Sequence, residues 1–269
     1  MKVPGYYINL DRAKKRSEHM LSEVSRLNLP LTRLPAVDGT NLSREQIDAL
    51  HQPEKGMHRL SGPEVGCFLS HRAAWEKIAA GQHKFGAVFE DDLKFSDDSK
   101  TLLNDDSWLP SDADIIKIET YQRKAVVSPP FVDVGKTRQL GRLKSRHLGA
   151  GGYILSQSIA NRLVERTQRF KVPVDYLMFD AKYAIFPEIT PWQLFPAICV
   201  QQVRTHQSFL PEGAEKSSLD SARKVLKLRG WAKVQRELSR PVTNLSREFS
   251  ARLHARQAGG KWMFIRYEE

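Results

Sequence analysis

Apolar and polar positions switch repeatedly between strand-like runs and a helical period along the first two thirds of the chain. VPGYYINL (3–10) reads as a buried strand. The next stretch, DRAKKRSEHMLSEVSRLN (11–28), carries Met20, Leu21, Val24 and Leu27 at helical spacing. LTRLPAV (31–37) predicts a second short strand and DGTNLS (38–43) a turn, with Ser43 placed to cap a short helix, REQIDALH. SGPEVGCFLSHRAAWEKIAAG (61–81) predicts a helix that starts near Pro63 and ends at Gly81. FGAVFE (85–90), ADIIKIE (113–119) and GGYILS (151–156) predict strands, the last running into a helix, SIANRLVERTQRF (158–170). VPVDYLMFDAKYA (172–184) begins with proline and reads as helical, and WQLFPAICVQQ (192–202) as mostly extended.

Alternating helices and strands through the first part of the chain predict an α/β domain with a largely parallel sheet. The pattern changes after about residue 214. Trp231, Val234, Leu238, Val242, Leu245, Phe249 and Leu253 recur three or four apart with basic residues between them. This predicts one or two basic amphipathic helices, bent or broken at Pro241. The expected division is therefore a catalytic-type α/β domain over 1–214 and a basic helical extension over 215–269.

Composition sharpens this division. The chain of 269 residues is long enough for one or two domains, and 41% hydrophobic with 27% charged residues fits a soluble globular protein. The net charge of +11 favours anionic partners. Residues 221–256 hold ten Lys/Arg against two Glu, a net +8, which leaves +3 for everything else. The basic character thus belongs to the extension. Cys67 and Cys199 both sit in apolar contexts and read as buried free thiols rather than a disulfide. No apolar run has the length of a membrane span, and the N-terminal segment lacks the order of a signal peptide, so the expected location is cytoplasmic.

Four stretches carry candidate chemistry. The strand GAVF ends in Glu90, Asp91 and Asp92, three like charges that need compensation or solvent. Ligands collect at the carboxyl ends of strands in open α/β sheets, and hard divalent cations take carboxylates together with phosphate oxygens. A solvated acidic turn is the plainer alternative. If strand alternation persists, Glu90 and Asp92 share one side and Asp91 faces the other. In the helix from Pro63, Glu64, Cys67 and His71 fall on one face. Gly149, Gly151 and Gly152 would let backbone approach a ligand, or simply make a tight turn before a strand. Asp175 falls in the first turn of a helix, as a site carboxylate or an ordinary helix-start residue.

In their order along the chain these segments resemble glycosyltransferase family 25, the group of bacterial enzymes that build lipooligosaccharide, with relatives that glycosylate collagen. The resemblance rests on YYINLDRAKKR, SGPEVGCFLSHRAAWEKI, AVFEDDLKF, IIKIET, SRHLGAGGYILS and PVDYLMF, and covers roughly residues 3–202. It implies a GT-A type, Rossmann-like domain that transfers a hexose, galactose first and glucose next, from a UDP-sugar to a sugar hydroxyl with inversion. It also implies Mn²⁺ or Mg²⁺ held by Asp92 and Glu90, with Gln202, Gln201 or His206 as a later ligand. Asp175, or after it Asp180, would be the general base. Tyr6, Asn9 and Arg16 would frame the nucleotide, with Asp91, Gly151 and Gly152 beside it. The extension would then meet an anionic membrane at the inner face of the bacterial inner membrane, at about 1 kcal/mol for each basic residue near the surface. Two other readings compete: a nucleic-acid-binding protein driven by the basic tail, which no recognised nucleic-acid motif supports, and an inactive family member kept as an assembly partner.

Overall fold

The computed structural model describes residues 2–183, 185–189, 191–202 and 248–269. His206 and the amphipathic repeat from Trp231 to Leu245 lie outside the described residues. The strands, in chain order, are β1 (Gly5–Asn9), β2 (Leu31–Pro35), β3 (Phe85–Glu90), β4 (Leu93–Phe95), β5 (Ile115–Lys117), β6 (Glu119–Thr120), β7 (Lys124–Val134), β8 (Arg138–Leu143), β9 (Gly152–Ser156), β10 (Trp192–Phe195), β11 (Cys199–Gln201) and β12 (Lys261–Phe264). The helices are α1 (Lys14–Leu27), α2 (Arg44–Leu50), α3 (Gly62–Ala79), α4 (Ser99–Asn104), α5 (Gln157–Arg166), α6 (Val174–Phe179) and α7 (Ile185–Glu188).

Among the described residues nine strands form one mixed sheet in the order β12-β7-β8-β10-β5-β9-β3-β1-β2. β1 pairs in parallel with β2 and β3, as helical crossovers demand. The expectation of a largely parallel sheet holds for that part and for β5 with β10, which also pair in parallel. β9 lies antiparallel between β3 and β5, and β8, β7 and β12 extend the sheet in antiparallel steps. The reason is local: β7 and β8 are joined by a short turn at Gly135, whose φ of +60° suits glycine, and a short turn returns the chain antiparallel. A second, three-stranded sheet runs β4-β11-β6.

The main sheet is buried on both faces. On one, Ile8, Val88, Ile115, Tyr153 and Leu155 pack with Val65, Phe68 and Trp75 of α3, and with α5 and α6. On the other, Tyr7, Phe89, Ile116 and Ile154 pack with Met20 and Leu27 of α1 and with α4. Double coverage explains why β3 and β9 read as continuous apolar runs. α3 starts at a capping box in which Ser61 and Glu64 satisfy each other's backbone N–H groups. Glu64 is therefore helix-start chemistry. In α1 the structure buries Met20, Glu23 and Leu27 and leaves Leu21 exposed. Glu23 turns inward because it accepts the N–H of Phe95 at 2.9 Å and pairs with Arg26.

The chain end joins the main sheet. Residues 248–257 are helical, and β12 pairs along β7, with Ile265 fully buried. Phe249 and Leu253 are exposed on that helical segment. The sequence division at 214/215 placed these last residues in the extension, because a four-residue edge strand carries too short a period to stand out after a helical pattern.

Candidate active site

The site lies where β1, β3 and β5 end and β9, running the other way, begins. Glu90 closes β3 and Asn9 closes β1 beside it. Past Glu90 the chain turns, and the turn overrides strand alternation. Asp91 and Asp92 share one guanidinium: Arg16 stands 2.8 Å from Asp91 Oδ1 and 3.2 Å from Asp92 Oδ2. Asn9 donates to the other oxygen of Asp91 at 2.7 Å. Glu90 faces elsewhere, accepting from Gln201 Nε2 at 3.0 Å and standing 3.5 Å from His71 Nε2. The expectation that Glu90 and Asp92 share a side is thus replaced by a pairing of Asp91 with Asp92.

Three carboxylates crowd a partly dry site, and two of them share one guanidinium. Burial, reinforced by the Glu90 charge, pushes the Asp92 carboxyl up to about 7. Burial also raises Asp91. Burial works against Glu90 as well, but His71, Arg16 and Gln201 outweigh it, and its carboxyl falls below the usual glutamate range. Asp92 Oδ1 is buried with no hydrogen-bond partner. Asp91 and Asp92 make a donor set of the kind a hard divalent cation takes. Gln202 is positioned next to it by a backbone N–H donated to the Asp92 carbonyl at 2.9 Å, while its side chain bonds His19 at 3.0 Å.

Below the carboxylates lies a layer that sequence reasoning missed. Lys117 and Glu119 form a fully buried ion pair at 3.0 Å, and Lys117 also donates to the Gly149 carbonyl. Glu119 accepts the Gly151 N–H at 2.9 Å, and the Gly151 carbonyl accepts the Glu90 N–H at 2.8 Å. A Cβ on Gly151 would stand 3.0 Å from the Glu119 carboxyl, and one on Gly152 would stand 2.4 Å from Cys199 Sγ. These glycines therefore make room for protein groups. The legible signal was two opposite charges two residues apart in an apolar strand, hence on one side of it.

The two base candidates separate. Asp175 opens α6 half-buried and accepts from the Gly149 N–H at 3.4 Å, which sets it on the same glycine segment that carries Glu90. Asp180 caps the end of α6, is buried, pairs with Arg146 at 3.4 Å and accepts the Lys182 N–H. Tyr6 sits mid-strand opposite Val88 and packs on the apolar cluster of the α3 face, so it is not joined to the carboxylates. His71 is buried in α3, and Cys67, His71 and Glu90 bring their ligand atoms within 4.8 Å of one another.

Charge-compensated carboxylates at the carboxyl ends of strands, backed by a glycine segment, define an α/β protein with its site in the usual crevice of such sheets. The model of glycosyltransferase family 25, described as LPS biosynthesis protein, matches residues 3–178. The chain belongs to glycosyltransferase family 25. It is 31% identical over 214 residues to the lipooligosaccharide biosynthesis protein lex-1 of Haemophilus influenzae, covering 74% of this chain and 68% of that one. It is 27% identical over 267 residues to the lacto-N-neotetraose biosynthesis glycosyltransferase LgtE of Neisseria gonorrhoeae, covering 93% of each. Among solved structures, a glycosyltransferase involved in glycosylating the major capsid of PBCV-1 aligns with a TM-score of 0.41 and 9% identity, over 76% of this chain and 93% of that one.

Proposed function

We propose that the chain is an inverting, metal-dependent hexosyltransferase of the GT-A arrangement, moving galactose, with glucose as the runner-up, from a UDP-sugar to a sugar hydroxyl of a lipooligosaccharide acceptor. One observation carries it: a buried Asp92 oxygen without a partner, on a carboxylate that shares a single guanidinium with Asp91. Family membership and the names of the similar Haemophilus and Neisseria proteins support the acceptor class.

Asp92 and Asp91 would hold Mn²⁺ or Mg²⁺, which when bound neutralises the diphosphate and the charge on departing UDP. Arg16 orients both aspartates and lowers the repulsion between them. Asn9 fixes Asp91, and Gln201 fixes Glu90 toward the donor. Asp175 takes the proton of the acceptor hydroxyl as the new glycosidic bond forms and the bond to UDP breaks. Asp180 is buried and pairs with Arg146, whereas Asp175 stands half-buried on the glycine segment that carries Glu90, the better place for the base. The basic segment would rest on an anionic membrane at the cytoplasmic face, where its acceptor is anchored. No helix among the described residues is long and apolar enough to cross a membrane.

The test is UDP release from a panel of UDP-sugars with Mn²⁺, with and without a lactose- or glucosamine-ended acceptor. Asp92→Ala should abolish turnover, and Asp175→Asn should lower kcat by about a hundredfold or more with little change in KM. Turnover by Asp92→Ala at the wild-type rate would sink the proposal.

A further inference from the structure

We infer that His71 is a positioning residue of the donor site, locked by Tyr153 and Trp75 in the tautomer that carries its proton on Nε2 and aims it at Glu90.

The lock follows from counting donors. His71 and Trp75 lie one helical turn apart on α3, so both reach the same point on β9. That point is the hydroxyl of Tyr153, which is fully buried. The Trp75 indole N–H can only donate, and it meets the hydroxyl oxygen at 2.8 Å. His71 Nδ1 meets the same oxygen at 2.9 Å. If Nδ1 carried the proton, the tyrosine oxygen would accept twice and its own proton would be buried with no acceptor, the costly way to leave a hydrogen bond unmade. Tyr153 therefore donates to Nδ1, and the proton of the neutral ring sits on Nε2.

Nε2 is buried and makes no hydrogen bond. The group it faces is Glu90 Oε1 at 3.5 Å. The other oxygen of Glu90 is already tied to Gln201. A closure of about 0.5 Å would complete an N–H···O bond and fix the carboxylate from both sides. His71 thus reads as a donor held ready behind Glu90, one residue from the aspartates.

The same tautomer argues against a soft metal on Cys67, His71 and Glu90, although their ligand atoms gather within 4.8 Å. A metal takes a bare ring nitrogen and sends the proton to the other one. Tyr153 could accept it only beside the Trp75 N–H, with its own buried O–H proton left unpaired.

The effect on turnover rests on the hexosyltransferase reading, whereas the tautomer rests on geometry alone, and the experiment separates them. Nitrogen NMR of the full chain, labelled at histidine and free of metal at neutral pH, should show His71 protonated at Nε2 and bare at Nδ1. Tyr153→Phe should release it into a mixture of tautomers. In kinetics, His71→Ala should lower kcat/KM for the donor by about ten- to a hundredfold and leave the acceptor KM unchanged, while His71→Gln, which keeps an N–H near the Nε2 position, should restore it to within about threefold of wild type. A proton on Nδ1, a glutamine variant no better than alanine, or a zinc-induced shift of Nε2 that Cys67→Ala abolishes would each overturn the inference. A wild-type protein that turns over no UDP-sugar would overturn the hexosyltransferase reading, and the spectrum would still decide the tautomer.

Discussion

One guanidinium nitrogen of Arg16 stands 2.8 Å from Oδ1 of Asp91, while Asn9 holds the opposite oxygen of that carboxylate at 2.7 Å. A residue from α1 and one from β1 thus immobilise a single aspartate on the turn after β3. Arg16→Ala leaves Asp91 and Asp92 facing each other with no cation. Breaking a buried pair costs about 3–5 kcal/mol, and because Arg16 is a quarter exposed the expected loss is nearer about 1–3 kcal/mol. Urea unfolding would read this as a lower midpoint, and millimolar Mn²⁺ should recover much of it.

Asp92 gives a pH signature of definite sign. Its folded-state carboxyl is raised to about 7 from the ordinary aspartate value of 3.8, with burial as the main cause. Folding then takes up a proton, so the contribution of Asp92 to stability falls as pH rises from about 4 to about 7. Asp92→Asn should raise the melting temperature of the metal-free protein above pH ~7, by about 2–4 °C for each kcal/mol of repulsion relieved, and change little near pH ~4. Cation-induced stabilisation in the wild type should grow across the same window and vanish in the variant. Equal melting gains at both pH values would contradict the assignment.

Gly152 packs against Cys199, and the contact can be tested from both sides. An alanine there would bring Cβ to 2.4 Å from the sulfur, which is fully buried. Gly152→Ala should destabilise the fold by about 1–3 kcal/mol, the usual cost of overpacking. Adding Cys199→Ala should give back a large part, a non-additivity expected of residues in contact. If the two effects simply add, the glycine is there for something other than the sulfur.

The chain end offers a truncation test. Arg138 holds Asp98 at 2.7 Å, the carbonyls of Pro196 and Ala197, and the carbonyl of Glu268. Removing residues 261–269 takes away the strand along β7, the buried Ile265 and one of these acceptors. The expected outcome is a protein that melts many degrees lower, or does not fold. A truncated chain as stable as the full one would mean that the edge strand contributes nothing.

Legibility followed length of pattern and locality of signal. α3 was readable almost to the residue because Ser61, Pro63 and Glu64 announce its start. α6 was overdrawn: apolar spacing ran on to residue 184, but the helix stops at Phe179, where Asp180 turns to Arg146. The β7–β8 hairpin escaped notice because its ladder shifts register between Ser128 and Val132, which breaks the alternation. Direction of pairing is not encoded in periodicity, so the reversal of β9 was invisible. At the site, Asn9, Arg16, Glu90, Asp91 and Asp92 were all nameable from the motifs, and the structure brings them together. How they divide was not, since a turn decides it. Lys117 and Glu119 stayed hidden because a charge in a strand looks the same in sequence whether it faces solvent or a partner.

The return of β12 to the sheet also ties two points far apart in sequence to one body. Gln202 donates its N–H to the Asp92 carbonyl beside the candidate donor site, and Glu248 pairs with Lys124 at 2.9 Å where β7 begins. Prying β12 from β7 would therefore loosen the anchor at Glu248 and leave the one at Asp92 in place.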